Sequence, residues 1–381
     1  MEDNTPDDFV TVKFSIGSTH YSDADGLFNN PAGLVFDHHR GLLFVADSFN
    51  HRVQVFAADD GSFVAKFGAR CLQANQLRSP WGIAIEHEQE RIVVVDCSSH
   101  RLQRWSLKDD SFLSFIDSYS PQLQEGVREL DHPHGVAIDK HNQRVLVANT
   151  HFHHLMSLAS SNLSSFNSIG KYGFQPREFF FPTGVAIDDD RHRIIVTESD
   201  GNRVQVLSSI DGSFLFQFGS KGNQPGQFDY PLGVCIANQG RIIVADSSNY
   251  RLQAFTHEGH HISSFDCGEH PVGVAFDEYR GLIAFSAGHQ VHVIGANQWL
   301  PDTTFVWRPD LHRYAPSWIK QTVLTMTMIR SLVDESSAMS MIPNELLFEI
   351  FSMLEPGPPR AVLPSRRPQA PTLRAKQCAT M

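Results

Sequence analysis

Short apolar runs, punctuated by Gly, Pro, Asn and Asp, recur along most of the chain, and one kind is especially regular. It follows a Pro-x-Gly and usually ends in an acid: Pro31-Ala-Gly-Leu-Val-Phe-Asp37, Pro80-Trp-Gly-Ile-Ala-Ile-Glu86, Pro133-His-Gly-Val-Ala-Ile-Asp139, Pro182-Thr-Gly-Val-Ala-Ile-Asp188, Pro231-Leu-Gly-Val-Cys-Ile-Ala237 and Pro271-Val-Gly-Val-Ala-Phe-Asp277. Their starts are 49, 53, 49, 49 and 40 residues apart, which makes the chain a tandem array. A second run in each unit is unbroken and β-branched, as in Arg193-Ile-Ile-Val-Thr-Glu198. It predicts a strand covered on both faces. A third alternates, as in Arg52-Val-Gln-Val-Phe56, so one side packs and the other is wetter. An Asp-Gly turn (Asp60-Gly61, Asp211-Gly212) then leads to a fourth strand such as Ser213-Phe-Leu-Phe-Gln-Phe-Gly219. Four short antiparallel strands per unit predict an all-β propeller.

The last unit stops after three strands, at Val291-His-Val-Ile294, while Phe9-Val-Thr-Val-Lys-Phe-Ser-Ile-Gly17 has the character of a fourth. The N-terminal strand is therefore expected to complete the last blade and remove its open edge.

Asp47-Ser-Phe-Asn-His-Arg-Val-Gln-Val55 and Asp246-Ser-Ser-Asn-Tyr-Arg-Leu-Gln253 resemble the tract that gives NHL repeats their name. The resemblance covers about residues 9–295 and implies a six-bladed NHL-type β-propeller. An acid and an arginine recur five residues apart as Asp47/Arg52, Asp96/Arg101, Glu198/Arg203 and Asp246/Arg251. Four regular copies read as architecture, a structural pair joining the second and third strands. Copy three has Asn149 and His154 instead, and copy six has neither partner, so those blades are expected to be less regular.

Outside the array the pattern changes. Residues 1–8 are expected to be disordered, residues 296–355 form a linker with a helix pair, and 356–381 form a basic, proline-rich disordered tail. The fold is thus a propeller with a short α-helical C-terminal extension. In that extension Ile319, Val323 and Met326 mark one helical stripe. Pro343, Leu346, Leu347, Ile350, Phe351 and Leu354 mark a second, and Ile342–Leu354 resembles the opening helix of F-box motifs and the end of SOCS-box-like segments. The resemblance implies a helix that docks an adaptor of a cullin ubiquitin ligase; the alternative is a helix packed on the propeller wall or on a dimer partner.

Charge and composition narrow the function. Residues 1–300 carry 22 Lys+Arg against 35 Asp+Glu, a net −13. NHL domains of the tripartite-motif type bind RNA through a basic face, so this balance disfavours RNA. No apolar run approaches the ~20 residues that cross a bilayer, so no membrane partner is expected. Five scattered cysteines (Cys71, Cys97, Cys235, Cys267, Cys378) and an acidic start point to a reducing, cytoplasmic protein. The clusters His151-Phe-His-His154 and His257-Glu-Gly-His-His261 fall where other copies turn, and they read as solvated turns rather than a metal site. Gly219-Ser-Lys-Gly-Asn-Gln-Pro-Gly226 lacks the ending of a phosphate loop and reads as a blade connector.

The residue between Pro and Gly is expected where the innermost strand meets the central channel: Ala32, Trp81, His134, Thr183, Leu232 and Val272. Amidating lyases within the NHL group place zinc-binding histidines there in three blades. Here His134 stands alone, and one imidazole does not supply the three ligands of a catalytic zinc. No catalytic residues, metal or cofactor are therefore assigned. The reading is a non-enzymatic module that binds a protein on its loop face around these six residues, with Trp81 as anchor and substrate reception for ubiquitination as its finer form. A zinc-dependent lyase and an RNA-binding NHL protein are the alternatives.

Overall fold

A computed structural model describes residues 12–69, 76–109, 111–117 and 130–300, and it is a six-bladed β-propeller. Each blade is one four-stranded antiparallel sheet, and in the first five the strands lie in chain order. Blade one is Pro31–Asp37, Leu42–Asp47, Arg52–Ala57 and Phe63–Phe67. Blades two to five open with Pro80–Glu86, Pro133–Asp139, Pro182–Asp188 and Pro231–Ala237. Blade six takes Pro271–Asp277, Leu282–Ala287 and Gln290–Gly295 from the end of the array, and its outer strand is Val12–Gly17. That strand runs antiparallel to its neighbour, from Val12 opposite Ile294 to Gly17 opposite Gln290. The ring is closed by hydrogen bonds between the two ends of the array.

The unbroken apolar runs are the second strands, and their burial explains their composition. Residues 43–46, 92–95, 145–148 and 242–245 are all almost wholly inaccessible, because each strand is covered by its own sheet's neighbours and by both flanking blades. The core is accordingly a series of seams. Phe44, Val53 and Val55 of blade one pack against Ile83, Ile92, Val94 and Trp105 of blade two. Ile16 joins Leu34, Phe36, Val291 and Val293 where blade six meets blade one.

The innermost strands explain the repeated glycine. A Cβ on Gly82 would lie 2.1 Å from the carbonyl oxygen of His134, and one on Gly33 would lie 2.3 Å from that of Trp81. The same approach repeats at Gly135, Gly184 and Gly233, and it returns to the start at Gly273, facing Ala32 at 2.3 Å. Six backbones meet so closely around the channel that only hydrogen fits.

Blades three and six, expected to be less regular, have continuous ladders between their second and third strands, from Arg144/Ala159 to Asn149/His154 and from Leu282/Gly295 to Ala287/Gln290. Apolar strand packing sets the ladder, with or without an acid–arginine pair. The chain divides into two compact units, Met1–Val306 and Trp307–Met381. Ala296–Trp299 is a helical turn, and Ala296, Trp299 and Leu300 pack into the core beneath blades five and six. The propeller unit thus runs past the expected boundary at 295. The N-terminal residues 1–11, the expected helix pair beyond 300, the adaptor stripe from Pro343 to Leu354, the tail, Cys71 and Cys378 lie outside the described residues. Among the described residues no helix is long and apolar enough to cross a membrane.

Candidate functional site

Strand register defines two faces. Pro31 lies opposite Asp47, Asp47 opposite Arg52 and Val53 opposite Phe67. The segments between blades and the turns after second strands therefore share one face, called here the connector face. The turns after first and third strands share the other, the hairpin face.

The acid–arginine pairs build the connector face. Arg52 meets Asp47 at 2.8 Å, Arg101 meets Asp96 at 3.0 Å, Arg203 meets Glu198 at 2.7 Å and Arg251 meets Asp246 at 2.8 Å. Each acid also accepts a backbone N–H just before its Pro-x-Gly, such as Asn29 N–H to Asp47 at 2.8 Å and Asp229 N–H to Asp246 at 2.8 Å. Each arginine reaches outward to connector carbonyls: Arg52 donates to Asp23, Ala24 and Leu27, and Arg251 to Asn223, Gln224 and Gln227. A glutamine two residues on completes the clasp, as Gln253 donates to both Asp246 and Gln227. An irregular connector thereby has its backbone satisfied by buried charge.

A second set of pairs stands on the hairpin face. The acid ending a first strand meets an arginine: Glu86 with Arg91 at 3.1 Å, Asp139 with Arg144 at 2.8 Å and Asp188 with Arg193 at 2.6 Å. The spacing is again five, so the same sequence signal could have found them. Glu86 also binds Arg104, a fully buried guanidinium, at 2.9 Å.

The histidine clusters have separate roles. His153, in the left-handed region at φ 54°, accepts the Phe181 N–H on Nδ1 at 3.1 Å; His100 accepts the His132 N–H at 3.0 Å, and His289 accepts the Asn30 N–H at 3.2 Å. These imidazoles link one blade to the next. His151 instead stacks on His132 at 4.2 Å, apart from that role.

Of the six channel-mouth positions, Ala32, Thr183 and Leu232 are buried, and Thr183 and Leu232 line the central channel together with Trp81 and Val272. Trp81, His134 and Val272 remain partly exposed. Trp81 and His134 meet edge to face, with ring centroids 4.8 Å apart and planes at 82°. Thr150 donates its hydroxyl to the Pro182 carbonyl at 2.7 Å, so it accepts from Nδ1–H of His134 at 2.8 Å. That leaves Nε2 toward Cys97 Sγ at 3.9 Å. Burial depresses the His134 pKa to about 4. Burial, aided by the Asp96 charge, pushes the Cys97 thiol up to about 12. A neutral thiol beside a neutral imidazole lacks the thiolate that nucleophilic catalysis requires.

Around this mouth the connector face is aromatic. Tyr21, Phe49, Phe152, Tyr172, Phe174, Tyr230 and Tyr250 all stand exposed there, Tyr21 at 72%. Among the described residues, the turns of the hairpin face expose one large hydrophobic, Ile210. The densest stretch runs His153, Tyr172, Phe180 and Phe174 along neighbouring rings 5.0–5.8 Å apart.

Two side-chain groups have the composition of metal ligands. On the connector face His100, Asp131 and His132 bring one donor each within 4.8 Å of one another. The Nδ1 atom of each histidine is already engaged: His100 Nδ1 accepts a backbone N–H, and His132 Nδ1 lies 2.7 Å from Asp131. On the hairpin face His38, His39 and His87 meet the same distance criterion. None of these three histidines stands out in the sequence by itself. His38 and His87 hold equivalent places, one residue past the acid ending the first strand, and aligning the units there would have shown it.

Residues 28–56, 77–105 and 228–255 match the NHL repeat. No curated protein sequence matches the chain. Among solved structures, a gluconolactonase from Xanthomonas campestris is 14% identical with a TM-score of 0.55, covering 71% of this chain and 87% of that one. A chain of the nidogen/laminin complex is 14% identical with a TM-score of 0.51, covering 66% and 85%. At this identity the likeness is one of fold. The chain carries NHL repeats, and they are set in a six-bladed β-propeller.

Proposed function

We propose that this propeller is a protein-interaction module whose partner sits on the connector face, over Trp81 and the exposed tyrosines and phenylalanines around it. The asymmetry of the two faces carries the reading: exposed aromatic rings gather on one face, and aromatic residues are enriched where proteins bind one another. Blade packing does not require them there, since the seams are filled by other residues. The similar fold in the nidogen/laminin complex belongs to a protein seen in assembly with another, whereas the gluconolactonase is an enzyme, so the fold serves both uses and the site decides between them. At this mouth the inert thiol and the single imidazole favour binding over catalysis. The net −13 of residues 1–300 opposes RNA as the partner.

The finer form of the proposal, a substrate receptor for a cullin ubiquitin ligase in the cytoplasm, rests on the sequence of Ile342–Leu354 alone. The test compares Trp81→Ala and Tyr172→Ala/Phe174→Ala with Ile210→Ala in pull-down and melting experiments. Proteins captured by wild type and Ile210→Ala but lost from the two connector-face variants, all with similar melting temperatures, support it. Capture that is indifferent to both connector-face variants refutes it.

A further inference from the structure

Imidazoles from two consecutive blades converge on the hairpin face, opposite the face assigned to a protein partner. The ring centroids of His38 and His39 lie 4.2 Å apart, those of His38 and His87 4.6 Å, and those of His39 and His87 5.0 Å. Tyr279, from blade six, stacks on His38 at 4.3 Å with planes 17° apart and fixes that ring. His87 Nδ1 is buried with no hydrogen-bond partner, an unfavourable state for a polar group that a ligand at that atom would relieve.

Burial and the neighbouring imidazoles hold His38 to a pKa of about 3, and burial holds His87 to about 4. Both rings are neutral at physiological pH, so each keeps a nitrogen lone pair. Asp37, Arg40 and Lys140 are the charged groups around them. Asp37 is occupied by the backbone N–H groups of His39 and Arg40 and by the Arg40 guanidinium. The surroundings therefore offer nitrogen donors and little net negative charge, which suits a metal that favours imidazole and disfavours a hard, oxygen-seeking cation.

We propose that His38, His39 and His87 bind one divalent metal of the zinc class, with a fourth position left for water. At metal–nitrogen distances of 2.0–2.1 Å a tetrahedral site needs its nitrogens about 3.4 Å apart. The donors are already within 4.8 Å, and exposed His39 can close the gap by side-chain rotation. A cavity of about 370 Å³, lined by His87, Glu86, Lys140, Gln143 and Ser160, opens beside the site. Because the ligands come from blades one and two, the metal would also tie that seam.

The test titrates Zn²⁺, with Ca²⁺ as control, into the full-length chain by calorimetry, alongside melting curves. Wild type should bind one more zinc per chain than His39→Gln or His38→Gln/His87→Gln, melt higher with zinc, and ignore calcium. His39 is exposed, so its variant should melt like wild type without metal. His100→Gln and His134→Gln should keep the zinc binding assigned to this site. Equal zinc stoichiometry in wild type and both hairpin-face variants, or a calcium response like that of zinc, overturns the proposal.

Discussion

Gly82 has room for a hydrogen atom and nothing more, since a methyl group would stand 2.1 Å from the His134 carbonyl. Gly82→Ala should cost about 1–3 kcal/mol through overpacking, read as a lower midpoint in urea. Asp96→Ala should cost about 3–5 kcal/mol, because it strands buried Arg101 without its partner. Removing the exposed Lys66–Asp25 pair by Lys66→Ala should cost less than about 1 kcal/mol. His134 brings a pH dependence of definite sign. Its pKa falls from 6.5 to about 4 on folding, so between those values the unfolded chain binds more protons. Its contribution is complete above pH 6.5 and is lost as the pH falls toward 4. Melting temperature should fall over that window in wild type and less steeply in His134→Gln. At this scale the sequence was legible where chemistry repeats, as in Asp47/Arg52 and its copies. Burial of Ala32, Thr183 and Leu232 was not legible, because equivalent positions in one repeat meet different neighbours across each seam.

A strand at the edge of a sheet is a row of unpaired backbone groups, and Val12–Gly17 covers that row in blade six. Removing residues 1–17 should lower the melting temperature and promote aggregation through the bared strand Gln290–Gly295. Ile16→Ala, which keeps the strand but empties part of its seam, should cost about 2–5 kcal/mol without aggregation. An unchanged melting temperature for the truncated chain would refute this account of closure. The closing strand was legible because alternation and a terminal glycine match the fourth strands elsewhere, as in Ser62–Gly68. The regularity of blades three and six was misjudged for a physical reason: the clasp at the strand ends was taken to organise the blade. Ladders of buried Val, Leu and Ala organise it, and the clasp organises the connector.

Across the whole molecule, the two faces carry different chemistry from one repeated unit. Each unit contributes the same turns, but the residues free to vary differ in kind: exposed tyrosines and phenylalanines gather on the connector face, and the His38, His39 and His87 group stands on the hairpin face. Fold was legible because it depends on what repeats. Function was less so, because a site depends on what departs from the repeat, and such departures have meaning only once the ring sets them side by side. His38 and His87 show this, being 49 residues apart in sequence and in ring contact in space.

The seam in blade six also determines how the molecule would respond to force. Val12 and Ile294 are paired, and the chain leaves both of them from the same end of the sheet. Pulling on the two chain ends therefore opens the final pair of strands from that end, one hydrogen bond after another, instead of sliding them past each other against all the bonds at once. In a single-molecule stretching experiment the first event should be an early, low-force release of Val12–Gly17, before any blade with four contiguous strands yields. The contact that makes the ring whole is, under tension, its latch.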